Sequence, residues 1–147
     1  MGRYNYLLPG LALVLASSQV AFAQADSPEE AKNKQLVLDW WREVVTFNHV
    51  ELANKYMADD YIEHNPNYAG GRKEFVAYFG KMPAKPIQPK LPKQPDRAMA
   101  KGDYVVLVWE LDGEEKTGKA FKYNTFDIVR VQNGKIAEHW DGAPKNP

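Results

Sequence analysis

Apolar residues recur at helical spacing in three segments of the first half of the chain. Ser27–Glu30 has the composition of a capping box, and the apolar residues between 36 and 47 then fall on one broad face. This pattern predicts a first helix from Ser27 to about Asn48. Two shorter helices are predicted over residues 50–57 and 72–79, each with a few apolar residues to turn inward.

The second half of the chain has the pattern of antiparallel strands. Residues 97–100 and 104–109 flank a Lys-Gly-Asp turn and predict a hairpin, and residues 112–118 predict a polar loop. Residues 119–131 predict a long strand and residues 135–141 the last strand, joined by Asn133-Gly134, a strong two-residue hairpin signal. Helices followed by antiparallel strands predict an α+β domain, with about three N-terminal helices packed against one face of a sheet.

The Asn133-Gly134 turn also predicts the register of the last hairpin. A two-residue loop sets Gln132 opposite Lys135 and, without irregularity, Asp127 opposite Trp140. The face toward the helices would then carry Asp127, Val129, Val131, Ile136, Glu138 and Trp140, and the opposite face Phe126, Ile128, Arg130, Ala137, His139 and Asp141. Only a β-bulge that re-aims the strand end would bring Asp127 and His139 together.

The first 23 residues have the layout of a secretory signal peptide. A single charge at Arg3 is followed by an apolar stretch over residues 7–16 and by the small-x-small triplet Ala21-Phe22-Ala23. We expect cleavage after Ala23, a periplasmic or secreted protein, and a single domain over residues 24–147. The apolar stretch is short for a membrane span, so no stable membrane insertion is expected after cleavage; an uncleaved anchor is the alternative.

Composition narrows the possible partners. The 19 basic and 19 acidic residues balance, which gives no electrostatic reason to expect nucleic acid. There is no cysteine, which excludes thiol catalysis and cysteine-ligated metal. Prolines stand at every third position from Pro83 to Pro95, the period of a polyproline II helix. We interpret residues 81–95 as a stiff connection between helix and sheet; a docking arm for a partner is the alternative.

Few polar residues are candidates for chemistry. Asp127 lies inside the apolar run 126–129, where a carboxylate must be solvated by a pocket, paired or protonated, and this suits a general acid or base. The alternative is an Asp that faces water. His64 lies in an irregular connection over residues 61–66, because Pro66 keeps Asn65 out of helical geometry. It would be either a proton carrier or a residue that hydrogen-bonds the loop backbone. No two histidines have metal-ligand spacing, so no metal is expected.

Four motifs in order resemble the SnoaL-like proteins of the nuclear transport factor 2-like superfamily. They are Tyr61-Ile-Glu-His-Asn-Pro66 followed by Gly70, Lys101-Gly-Asp-Tyr-Val-Val106, Phe126-Asp-Ile-Val-Arg130 and Gly134-Lys-Ile-Ala-Glu-His-Trp-Asp141. The resemblance covers about residues 33–143. It implies a cone-shaped fold, in which a strongly curved antiparallel sheet wraps around helices and leaves an interior pocket at its open end.

The resemblance also implies a class of activity. Its type members are polyketide cyclases that close a ring by aldol condensation with an acidic residue and with neither cofactor nor metal; relatives include isomerases, dehydratases, epoxide hydrolases and non-catalytic binders. We therefore expect a small, largely apolar carbonyl ligand and either a cofactor-free lyase or isomerase or a non-catalytic periplasmic binding or accessory protein. Asp127 and His64 are the predicted catalytic residues, and the predicted ligand-binding residues are Tyr61, Trp140, Trp40, His139 and Asp141. Relatives that resemble this chain commonly pair sheet to sheet, so a homodimer is expected.

Overall fold

An open five-stranded sheet, with helices against one face, forms the α+β cone that the sequence predicts. The computed structural model describes residues 25–145, and the predicted signal peptide lies outside them. Helix α1 (Pro28–Trp40) runs directly into a π-helical segment (Trp41–Thr46); a 3₁₀ turn (Val50–Leu52) leads into α2 (Ala53–Tyr56), and α3 (Arg72–Phe79) follows. The three predicted helices are confirmed. None of the helices within residues 25–145 has the length and apolar character that crossing a bilayer requires.

The strands are β1 (Met57–Glu63), β2 (Arg97–Lys101), β3 (Tyr104–Glu114), β4 (Ala120–Gln132) and β5 (Lys135–Asp141). Their order in the sheet is β1-β5-β4-β3-β2, and every neighbouring pair is antiparallel except β1 with β5. The predicted turn between β4 and β5 is confirmed, with positive φ values of 52° at Asn133 and 71° at Gly134. Both residue types tolerate this conformation, which the tight hairpin requires.

Strand β1 corrects the prediction of an irregular connection after the second helix. Residues 61–63 belong to a strand that pairs in parallel with β5, with Glu63 opposite His139. The buried positions in β1 are Met57, Tyr61 and Glu63, whereas Asp59 and Asp60 are exposed. The two aspartates occupy the solvent side at the edge of the sheet.

A β-bulge in β5 corrects the predicted register. Val131 pairs with Ile136, but Arg130 pairs with Glu138, so Ala137 has no partner in β4. Beyond the bulge every residue of β5 is on the face opposite to the predicted one. Asp127 is therefore opposite Asp141 rather than Trp140, and His139 and Asp141 point to the inner face. The predicted inward orientation of Glu138 and Trp140 is wrong.

The bulge has a physical reason. A regular register would bury the Glu138 carboxylate beside Val129, a position without a basic partner, and burying an unpaired charge is costly. On the outer face Glu138 Oε1 instead lies 2.5 Å from Arg130 Nη2. Ala137 is buried in the bulge, not exposed as predicted.

The core lies between the helices and the inner face of the sheet. Val37, Trp40 and Val44 from the long helical segment are fully buried. They belong to one cluster with the inward residues of the central strands, which are Val105, Leu107, Val129, Val131 and Ile136. The proline-rich residues 81–95 join α3 to β2 without helix or strand, and Leu91 is their buried residue.

Candidate active site

A pocket of about 690 Å³ opens at the end of the sheet where β3 and β4 extend beyond the helical layer. Its wall is mostly aromatic and aliphatic, and includes Trp41, Trp109, Leu111 and Tyr123. The segment that follows β5 completes the wall with small residues at positions 142–144. The aliphatic and aromatic wall suits an organic molecule with an apolar body.

Asp127 lies in this pocket on the inner face of the sheet, as the sequence predicts. Its side chain is held at both oxygens. The indole Nε1 of Trp109 donates to Oδ2 at 2.7 Å, and His139 Nε2 lies 3.1 Å from Oδ1. Each carboxylate oxygen still has a free lone pair for a ligand.

His139 bridges two carboxylates. Its Nδ1 lies 2.9 Å from Glu63 Oε1, while its Nε2 faces Asp127. The sheet brings the three groups together because Glu63 on β1 is paired with His139 on β5, and β5 is paired with β4. Glu63 is fixed further by the backbone N–H of Asn65 at 3.0 Å and by the Tyr61 hydroxyl, which donates to Oε2.

The two carboxylates determine the charge of His139. Desolvation by burial lowers the pKa of the imidazole, but the hydrogen bonds and charges of Asp127 and Glu63 outweigh it and raise the pKa to about 9. His139 is therefore an imidazolium at neutral pH and donates from both nitrogens. Burial and the neighbouring Glu63 raise the pKa of Tyr61, which keeps its phenol a neutral donor.

Asp141 is the second acidic residue of the pocket wall. Its Oδ2 accepts from Asn65 Nδ2 at 2.6 Å, and its Oδ1 accepts from the backbone N–H of Ala143 at 3.1 Å. These contacts hold a half-buried carboxylate beside Asp127, its partner across the hairpin.

A possible cation site is formed by Asp127, His139 and Asp141. Each has one potential ligand atom, and these atoms lie within 4.8 Å of one another. A metal ion would have to displace the proton that His139 Nε2 directs at Asp127, since only a deprotonated nitrogen can coordinate. Spacing along the sequence did not indicate this cluster, because the bulge and the hairpin create it.

Two predicted site residues lie elsewhere. His64 and Trp140 are on the outer face, where their rings stack with centroids 4.6 Å apart and an angle of 6° between the ring planes. His64 Nε2 lies 3.0 Å from Glu138 Oε2. Trp140 lies on the outer face because the bulge reverses the faces of β5 beyond Ala137. His64 lies there because of the course that the chain takes after the end of β1 at Glu63. Neither residue lines the pocket.

Two other predicted ligand-binding residues lie behind the site. Trp40 is fully buried, with its ring centroid 5.9 Å from that of His139, and Tyr61 acts through Glu63. Both residues lie on the core side of the hydrogen-bonded groups Asp127, His139 and Glu63, and both are absent from the pocket wall.

Sequence reasoning missed Glu63, Trp109 and Trp41 as site residues. The alternation Tyr61, Glu63 would have marked a strand with an inward carboxylate, had residues 57–63 been recognised as a strand. Trp109 follows Val105 and Leu107 at alternate positions of β3, and Leu107 is paired with Asp127. Trp41 adjoins Trp40 and is the one that reaches the pocket.

Comparison with known proteins identifies the fold. One similar solved structure is that of a Jannaschia sp. CCS1 protein assigned as a SnoaL-like polyketide cyclase. It is 17% identical to this chain, and the alignment covers 81% of this chain and 91% of that one, with a TM-score of 0.56. An NTF2-like protein from Burkholderia xenovorans LB400 is 18% identical over 76% of this chain and 88% of its own, with a TM-score of 0.55. Wild-type IdmH from Streptomyces antibioticus is 17% identical over 74% and 89%, with a TM-score of 0.52.

These identities support a shared fold and no more. No curated protein matches the chain significantly. The family model described as the SnoaL-like domain matches residues 28–139, which is most of the chain and includes all elements from α1 to His139 in β5. The chain therefore belongs to the SnoaL-like domain family.

Proposed function

We propose that this protein binds a small, largely apolar carbonyl compound and moves a proton within it, as a cofactor-free lyase or isomerase of aldol type. The observation that carries the proposal is the Asp127 carboxylate, which faces an apolar pocket and is oriented from behind by His139 and Glu63. The family supports it, and so do the structural neighbours that carry polyketide cyclase assignments.

The proposed step uses Asp127 as the base. A carboxylate oxygen takes the proton from the carbon next to the carbonyl; the C–H electron pair moves into the enolate, and the proton later returns to carbon or oxygen. Trp109 and His139 fix the carboxylate in one orientation. Glu63 holds the imidazole in place and stabilises its positive charge.

Isotope exchange tests the proposal. Wild-type protein should exchange the hydrogens α to the carbonyl in at least one member of a ketone panel in D₂O, followed by NMR. Asp127→Asn should abolish this exchange, whereas Asp60→Asn, a change at an exposed aspartate of β1, should leave it intact. Circular dichroism of each variant checks that it is folded. Equal exchange in the wild type and in folded Asp127→Asn would refute the acid/base role.

A non-catalytic binding or accessory protein is the second candidate. The observation that favours it is that both oxygens of Asp127 already have hydrogen-bond partners in the protein, which occupy lone pairs that a base would use. Mass spectrometry of a co-purified ligand distinguishes the candidates. A ligand that is unchanged after days of incubation supports binding alone, and turnover of that ligand refutes it.

Export and pairing complete the proposal. Residues 1–23 are proposed to direct the chain to the periplasm or the outside of the cell, so N-terminal sequencing of protein recovered from the periplasm should begin at Gln24. The outer face of the sheet exposes Phe126 and Ile128, and an apolar sheet face of this kind is proposed as the contact between two copies.

A further inference from the structure

The pocket has a one-sided charge. Within residues 25–145, the charged side chains of its wall are Asp127 and Asp141, and neither lysine nor arginine contributes to it. Directly behind the wall lie Glu63 and His139. Three carboxyl groups thus surround a single imidazole, which leaves an excess of negative charge that a neutral carbonyl compound would not offset.

The rest of the wall is suited to a positive charge. Trp41 and Trp109 lie with their ring centroids 5.3 Å apart, and Tyr123 contributes further aromatic surface. The faces of aromatic rings attract cations through their quadrupole, most strongly where water is excluded. Aromatic cages are a common way for proteins to bind ammonium groups, including quaternary ones.

Asp141 can serve as the anchor. Each of its oxygens accepts one hydrogen bond, from Asn65 or from Ala143, which fixes the carboxylate and leaves a lone pair on each oxygen. A charge-assisted hydrogen bond or a close ion pair could form there without rearrangement. Asp127 would remain available to the reacting part of the same ligand.

We propose that the ligand carries a cationic amine, protonated or quaternary, next to its apolar body, and that Asp141 and the aromatic wall bind the amine. The inference rests on this pocket being the ligand site of the proposed function. A pocket of about 690 Å³ with apolar walls is far larger than a bare metal ion requires. His139, the one nitrogen ligand of the cluster, already directs both nitrogens at carboxylates.

The test uses three probes with a common benzyl group: benzyltrimethylammonium, neutral N-benzylacetamide and anionic phenylacetate. Binding is measured by calorimetry and by quenching of the tryptophan fluorescence, to which Trp41 and Trp109 of the pocket wall contribute. We expect the cation to bind about tenfold more tightly than the neutral probe, and the anion not to bind. Equal affinities, or a preference for the anion, would overturn the proposal.

Two variants locate the binding. Asp141→Asn should weaken binding of the cation about tenfold and leave that of the neutral probe unchanged, while Asp60→Asn should change neither. Tyr123→Leu replaces a partly exposed ring with little risk to the fold, and should weaken cation binding about threefold. Unchanged cation affinity in folded Asp141→Asn and Tyr123→Leu would overturn the proposal. Zn²⁺ or Mg²⁺ that binds and displaces the probe would assign the site to an inorganic cation and overturn it too.

The probes involve no turnover, so this result is independent of the isotope exchange. Charge-selective binding without exchange in any ketone would retain the cation site and reject the acid/base function. Isotope exchange together with equal binding of the three probes would retain the acid/base function and reject the cation site.

Discussion

Nε2 of His139 lies 3.1 Å from Oδ1 of Asp127, although the two residues are not paired across the hairpin. His139 is paired with Val129, so it meets Asp127 along the diagonal of the inner face. Both residues are buried, with 3% of the surface of His139 and 8% of the surface of Asp127 exposed. A charged contact in such surroundings affects stability as well as any proton transfer.

The pKa of His139 predicts a pH dependence of stability. Because folding raises this pKa from 6.5 to about 9, the contribution is fully present below about pH 6.5 and is lost as pH rises through about 9. The free energy of unfolding in urea should fall by about 3 kcal/mol across this window. His139→Gln should remove the slope and His64→Gln, on the outer face, should retain it. A wild-type profile that is flat from pH 6.5 to 9 would contradict the charged pairing.

Glu63 should determine the protonation of His139. Glu63→Gln removes one of the two charges that hold the proton, and should lower the pKa of His139 from about 9 by roughly 1 or more. An NMR titration of the imidazole measures this directly. Glu51→Gln, which changes an exposed carboxylate beside His49, is the matched control. If the titration of His139 is the same in Glu63→Gln and wild type, the imidazole is not bound by Glu63 in solution.

The N-terminus of α1 should be sensitive to acid. Glu30 accepts from the backbone N–H groups of Ser27 and Gly102, which, with Lys101 nearby, lower its pKa from 4.5 to about 2. Its contribution to stability is therefore present above about pH 4.5 and lost as pH falls toward 2. Glu30→Gln should have a lower urea midpoint than the wild type at pH 7, and the two should converge near pH 2. A constant difference between the two midpoints would exclude the carboxylate charge as the cause.

The proposed sheet-to-sheet contact between two copies can be disrupted by a substitution outside the pocket wall. Ile128→Glu places a charge on the outer face, where Ile128 is 38% exposed, so it should shift a dimer to a monomer of roughly 14 kDa, at ~110 Da per residue for the proposed mature chain. Sedimentation velocity measures the change. Met82→Glu, also at an exposed apolar residue but outside the sheet, should leave the dimer intact. A wild-type monomer at micromolar concentration would refute the pairing.

Local signals in the sequence predicted much of the fold. The capping box at Ser27, the Asn133-Gly134 turn and the alternation in β3 each act within a few residues, so they can be recognised without tertiary context. They also placed Asp127 correctly on the inner face. The family resemblance supplied the cone, which no local pattern specifies.

The remaining errors came from tertiary effects. The register was inferred from the turn alone, whereas the cost of burying Glu138 moved the strand by one residue at Ala137. Strand β1 was missed because its pairing partner, β5, lies more than 70 residues further on, and a parallel edge strand has no turn to mark it. The wrong prediction for His64 followed from missing β1. The predicted register placed His139 on the face opposite to Asp127, so it excluded a contact between the two residues.

The unpaired alanine in β5 makes the spacing between the hairpin turn and His139 a component of the site. A chain that lacked this alanine would have a regular hairpin with the same later pairs, so His139 and Asp141 would still face the pocket. A chain of the present length without the bulge would instead present Glu138 and Trp140 to the pocket in place of His139 and Asp141. Within this family, a search for proteins with the same chemistry should therefore accept a histidine five residues after the turn glycine where the strand has a bulge, or four residues after it where the strand is regular.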